Sequence, residues 1–259
     1  MKNLSREELQ ALKADAMMVE KGAERFSVRL RVVGGRLEAS HLKLVGDLAE
    51  RFGDGHVHLT TRQGVEIPHV PFENLAPLRV ALEAAGLKLA AAGRCVRGIT
   101  ACPGSYCLRG LIDCQGLSQR LQLRLGGRAG LPHKFKIGIS GCPNGCTKPK
   151  ENDLGIMGQG KGFAMFVGGK MGKQPRWADL LPLKIADEDR LFRVADAVID
   201  WFVAEGQPGE RFGSTIERVG LDRLVDALAR TIDEVDQLPQ PAAVAAVEAE
   251  DQPRQSGNR

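Results

Sequence analysis

The chain has 259 residues, 43% of them hydrophobic, which is enough to bury one large core or two modest ones. Its 36 basic and 32 acidic side chains leave a formal charge of +4, too mild to argue for a nucleic-acid binder and suited to an anionic small molecule. No run of about 18 apolar residues is present and the stretch from Met1 to Glu8 lacks the apolar centre of a signal peptide, so a cytoplasmic protein without a membrane span is expected.

Residues 1–24 read as a polar, helix-prone segment, with Ser5 and Glu8 spaced as a capping box ahead of Leu9, Leu12 and Ala16. Residues 26–33 alternate Phe26, Val28, Leu30 and Val32 against Ser27, Arg29 and Arg31, the period of a half-buried strand that Gly34-Gly35 ends. A helix follows from a cap at Ser40, with Leu42, Val45, Leu48, Ala49 and Phe52 on one face and Gly53 as its stop. Residues 57–61 and 65–67 predict strands around Arg62-Gln63-Gly64, and a second helix covers 73–85. This β-α-β-β-α order over residues 25–90 predicts an α+β unit with helices on one face of a sheet.

A second unit is expected over 91–235, with strands at 135–139 and 163–167. Its strongest helix starts at Asp187 and carries Leu191, Val194, Ala195, Val198, Ile199 and Phe202 at helical spacing; a last helix covers 221–232. Residues 236–259 are rich in Ala, Pro and acid without periodicity, and a disordered tail is expected there.

All six cysteines lie between positions 95 and 146, too few for a disulfide scaffold and, in a reducing compartment, more often metal-binding or catalytic. Gly141-Cys142-Pro143-Asn144-Gly145-Cys146 puts two sulfurs three residues apart on a tight turn, and Cys102 with Cys107 forms a pair upstream. Four thiolates suit a [4Fe-4S] cubane; zinc also accepts four, though it favours small polar domains. Cys95 and Cys114, at irregular spacing, read as small buried hydrophobes outside the ligand set. The glycine clusters at 158–162 and 168–172 fit neither a Walker loop nor a dinucleotide fingerprint, and the five histidines have no ligand spacing.

The run Thr100-Ala101-Cys102-Pro103-Gly104 through Cys107, the Cys142–Cys146 motif and Asp153-Leu154-Gly155-Ile156-Met157-Gly158 together resemble the siroheme and [4Fe-4S] motif of the sulfite and nitrite reductase family. Thr60-Thr61-Arg62-Gln63, Val96-Arg97-Gly98-Ile99 and Leu131-Pro132-His133-Lys134-Phe135-Lys136 resemble other parts of that family, so the likeness spans about 25–232. It implies a ferredoxin-like half-domain over 25–90 and an α/β siroheme and [4Fe-4S] domain over 91–235. It further implies Cys102, Cys107, Cys142 and Cys146 as cluster ligands, with Cys146 bridging to siroheme. Contacts to siroheme are implied for Arg62, Arg97, Asn144, Gly168 and Gly169, and a substrate role for Arg62, Arg97, Lys134 and Lys136. Glu210-Arg211-Phe212-Gly213 resembles the family's C-terminal portion and reads as structural.

One departure stands out: the family's first cysteine pair usually has five intervening residues and this one has four, so either the loop tightens or Cys114 replaces Cys107. The activity implied is six-electron reduction of sulfite to sulfide, with electrons from a donor such as ferredoxin or a reductase subunit and with a homodimer in which two copies share their sites. Nitrite reduction to ammonia, a plain iron-sulfur electron carrier and a zinc-stabilised binding protein are the alternatives.

Overall fold

The computed structural model describes residues 4–236, which build two sheets with a separate hydrophobic core against each. In α1 (Arg6–Ala14) the Ser5 hydroxyl accepts from the Glu8 amide at 3.1 Å and the Glu8 carboxylate accepts from the Ser5 amide at 2.7 Å. The expected capping box thus pairs two donors that a helix start leaves open. Leu9 and Leu12 rest on the first core, and β1 (Met17–Val19) pairs antiparallel with β2 (Arg25–Leu30). The N-terminal segment set apart at residue 24 therefore belongs to the first sheet.

Strand β2 buries Phe26, Val28 and Leu30 as its period requires. It stops at Leu30, opposite Val65 where β4 (Val65–Pro71) begins, and the Arg31 amide donates instead to the Lys88 carbonyl at 2.8 Å. Helix α2 (Ala39–Phe52) turns Val45, Leu48, Ala49 and Phe52 into the core; it starts one residue before the expected cap Ser40, after Glu38, with no side-chain cap. Strand β3 (His58–Leu59), β4 and α3 (Leu75–Ala84) complete this half, with strand order β1-β2-β4-β3.

The second sheet runs β5 (Thr100–Ala101), β6 (Ile137–Ser140), β7 (Leu154–Gln159), β8 (Gly162–Val167) and β9 (Asp179–Leu180) in that spatial order, parallel for the first three and antiparallel thereafter. All four residues of β6 are buried, as expected of a strand covered on both faces. Helix α4 (Cys114–Leu125) packs on this core, as do α5 (Glu188–Glu205), α6 (Phe212–Val219) and α7 (Leu221–Asp236). Asp187 caps α5 as expected, accepting from the Arg190 amide at 2.8 Å. Phe135, Phe202 and Phe212 pack ring against ring at centroid distances of 5.2–5.9 Å and lock the strand entry to α5 and α6. Except for Asp236, which ends α7, the tail expected over 236–259 lies outside the described residues. Among the described residues no helix is long and apolar enough to cross a membrane.

The halves are joined by polar contacts. The Gly34 amide donates to the Ile99 carbonyl at 3.0 Å and the Gln115 amide group donates to the Gly34 carbonyl at 3.0 Å. Gln63 makes the most specific link: its side chain donates to the Ala101 carbonyl and accepts from the Ala101 amide, both at 2.8 Å. It acts as one more rung on the open edge of β5.

Candidate active site: two cysteine loops beside a basic cleft

The hairpin turn between β3 and β4 aims Arg62 and Gln63 at the second half. Thr60 Oγ1 accepts from the Gly64 amide at 2.9 Å, and Gln63 sits at φ +59, a left-handed conformation that a non-glycine residue adopts only when its surroundings hold it. Arg62 then crosses to the other half, donating to Asn152 Oδ1 at 2.9 Å and to the Gly98 carbonyl at 3.1 Å. Burial pushes its guanidinium down to about 10, with Asp153 opposing, so it stays cationic at neutral pH.

Asn152 ties that arginine to the second cysteine loop, since its Nδ2 donates to the Lys148 carbonyl at 2.9 Å. A Cβ on Gly138 of β6 would lie 2.7 Å from the same nitrogen, so only glycine lets Asn152 lie across the strand. The loop closes on itself: the Ser140 and Thr147 hydroxyls are 2.7 Å apart, and the Gly145 amide donates to the Cys142 carbonyl at 3.2 Å with Gly145 at φ +62. Cys142 is half-buried, while Cys146 and Asn144 are exposed on the rim.

The first cysteine loop leaves β5 at Cys102, which is buried, and passes Cys107, which is exposed. It turns at Gly104, φ +60, where a Cβ would come within 2.6 Å of the Cys114 amide, and so returns to the start of α4. There Asp113 caps the helix, accepting from the Gly116 amide at 3.0 Å. Cys114 is wholly buried with its sulfur 3.7 Å from that of Cys102. Among the described residues no three His, Cys, Asp or Glu side chains converge on a point that would hold one metal ion. A cubane instead takes one thiolate at each of four separated iron corners.

Cys146, Arg62 and Lys136 line one cleft of about 310 Å³. A second cleft of about 390 Å³ shares Thr61, Arg62 and Lys136 with it and adds Arg29, Arg31, Arg97 and Lys134. Arg29 and Arg31, the polar face of the strand period over 26–33, both stand on this wall, with Arg29 paired to the buried Glu66 across β2 and β4.

Lys134 and Lys136 flank the buried Phe135, so the expected alternation holds. Burial, reinforced by Arg62 and Arg211, pulls the Lys136 ammonium down to about 8. Beneath it Asp153, fully buried, accepts from the Lys136 amide at 2.9 Å and from Arg211 Nη2 at 2.8 and 2.9 Å. Burial pushes the Asp153 carboxyl up, and Arg211 opposes the shift without cancelling it. Arg211, read as structural from the sequence, is thus the buried counter-ion that supports the basic wall. Its motif was legible, but the partner 58 residues earlier was not.

Gly168 and Gly169, expected along a cofactor edge, are buried against protein. A Cβ on Gly169 would meet the Lys150 carbonyl oxygen at 2.4 Å, and one on Gly168 would lie 3.1 Å from the Gly213 Cα. At these two positions the chain's own atoms, which for Gly168 include the Arg176 and Ile216 side chains at 2.8 Å, already crowd any Cβ.

Residues 92–234 match the family model described as nitrite and sulphite reductase 4Fe-4S domain, and residues 18–85 match the nitrite/sulfite reductase ferredoxin-like half domain. The chain belongs to the nitrite and sulphite reductase family. It is 30% identical over 205 residues to an assimilatory ferredoxin-dependent nitrite reductase of Haloferax mediterranei, covering 70% of this chain and 35% of the relative. Over 153 residues it is 35% identical to a subunit of the anaerobic sulfite reductase of Salmonella typhimurium, covering 52% of this chain and 43% of that relative. The NirA protein of Mycobacterium tuberculosis shares its fold with a TM-score of 0.79 at 21% identity, covering 90% of this chain and 48% of that one. The chain spans less than half the length of each of these three.

Siroheme and a [4Fe-4S] cluster are the cofactors of this family, and the residues present suit them. Soft thiols stand on two glycine-turned loops, and a Cβ on Gly141 would press on the sulfurs of Cys114 and Cys102 at 3.2 and 3.5 Å. Arg97 Nε, on the wall of the second cleft, is a buried donor with no hydrogen-bond partner, fit to meet a carboxylate such as siroheme carries.

Proposed function

We propose that the chain reduces sulfite to sulfide, taking electrons from an external donor such as ferredoxin or a reductase subunit. The observation that supports this reading is the basic wall running from Cys146 through Arg62 and Lys136 to Arg97 and Lys134. When bound, the cluster and siroheme supply electrons singly to the central atom of the anion. Cys102, Cys107, Cys142 and Cys146 would hold the cluster. The arginines hold anionic groups of cofactor and substrate by forked hydrogen bonds, and the Lys136 Nζ holds a proton where an oxygen departs as water. Asp153 and Arg211 neutralise each other beneath, so they orient the wall without adding charge to it.

Sulfite brings up to two negative charges and nitrite one, and a wall that carries Arg62, Arg97, Lys134 and Lys136 suits the higher charge. Nitrite reduction to ammonia is the second reading, favoured by the Haloferax nitrite reductase that matches 70% of the chain. The test is turnover by protein reconstituted with both cofactors and driven by electrochemically reduced methyl viologen. We expect kcat/KM for sulfide from sulfite to exceed that for ammonia from nitrite. The reverse ratio makes nitrite the substrate, and no turnover of either by fully loaded protein makes the chain an electron carrier.

A further inference from the structure

We propose that Cys114 is a positioning residue for the cluster: its thiol donates a hydrogen bond to the ligand sulfur of Cys102 and raises the reduction potential of the cluster. This rests on the cofactor reading above and assigns a use to a cysteine outside the four ligands.

Three observations place it there. Cys114 is fully buried at the first turn of α4, and its sulfur is 3.7 Å from Cys102 Sγ, within hydrogen-bonding contact. The Gly141 amide donates to the same Cys102 sulfur at 3.1 Å, so two donors meet one acceptor. Cys102 is itself buried, while Cys107 and Cys146 reach the surface, so this is the sulfur that water solvates least.

The direction of the bond follows from protonation. A metal-bound Cys102 is a thiolate and has no proton to give, so between two touching sulfurs Cys114 must be the donor. Contact also argues against Cys114 as a fifth candidate ligand. A cubane gives each thiolate its own iron corner, whereas these sulfurs touch, with no room between them for an iron–sulfur edge.

A donor onto a ligand sulfur stabilises the more electron-rich state, so it favours the reduced cluster. Removing it should lower the reduced-to-oxidised ratio at a fixed donor potential by about tenfold, the scale of one hydrogen bond to a charged group, equivalent to about 59 mV for one electron.

The experiment compares Cys114→Ala and Cys114→Ser with the parent by iron content per chain and by potentiometric titration of the reduced-cluster paramagnetic signal. Cys114→Ala should keep full iron and shift the midpoint negative, and Cys114→Ser, which keeps a donor, should restore most of the shift. Loss of iron from both variants would make Cys114 a ligand and overturn the proposal. Full iron with an unmoved midpoint in Cys114→Ala would overturn it equally. Absence of any cluster signal from the parent protein would count instead against the cofactor reading on which this rests.

Discussion

Lys136 shows how one side chain draws its character from its surroundings. Its stem lies in the wall beside Arg62, and its backbone amide is fixed on Asp153, whose other partner is Arg211. Burial comes first among the causes that pull its ammonium down to about 8, Arg62 and Arg211 follow, and Asp153 works in the opposite direction. A lysine with a lowered value is charged below it and neutral above it. Turnover should therefore fall as pH rises through about 8, where Lys136 loses both its charge and the proton it can donate. Lys136→Ala should lower turnover by about 100-fold or more with siroheme and iron unchanged, and Lys136→Arg, which keeps the charge but does not give up its proton, should fail to restore full turnover. Near-normal turnover by Lys136→Ala would return this lysine to the role of a solvated strand charge.

Among the elements, the two-residue strand β5 carries more than its length suggests. It delivers Cys102, the proposed cluster ligand, to the first cysteine loop, with the Cys102 amide donating to the Ile139 carbonyl of β6 at 3.0 Å. One edge pairs with β6, and the other is closed by the Gln63 side chain from the opposite half. Gln63→Ala would leave the amide and carbonyl of the buried Ala101 without partners, a loss of about 2 kcal/mol or more, measurable as a lower denaturant midpoint. It should also reduce iron retention, because the strand that presents Cys102 loses one of its two edges. Unchanged stability and iron content would show that β6 alone holds β5 in place.

The whole molecule is about half as long as the NirA chain on which it superposes. A siroheme held at Cys146 would leave one face to be covered by other residues. An isologous contact between two copies would lay a second basic wall over that face and keep water out. The expected result is that a mixture of inactive Lys136→Ala and inactive Cys146→Ser chains, reconstituted together, regains part of the activity. No recovery in demonstrated mixed dimers would assign a complete site to each chain, using the Arg62 and Lys136 that line the cleft of its own Cys146.

Much of this was written in local pattern. The Ser5–Glu8 capping box, the alternation of β2, the apolar faces of α2 and α5 and the Gly-turned Cys142–Cys146 loop are set by neighbours a few residues apart, and each is legible because the interaction and its sequence period are both local. The motifs that carry Arg62, Lys134, Lys136 and the cysteines at 102, 107, 142 and 146 are likewise short and local, and they resemble the family to which the chain belongs. Helix α4 was hidden because it buries Gln115, Ser118 and Gln122, polar side chains that break an apolar period and find partners only in the folded chain. Arg211 on Asp153, Gln63 on Ala101 and Cys114 on Cys102 were equally out of reach, since each joins residues 12 to 58 positions apart. Local sequence determined which elements form and which chemical groups they carry. Tertiary structure alone decided which of those groups meet, because burial and contact across the chain depend on how the two sheets and their loops come together.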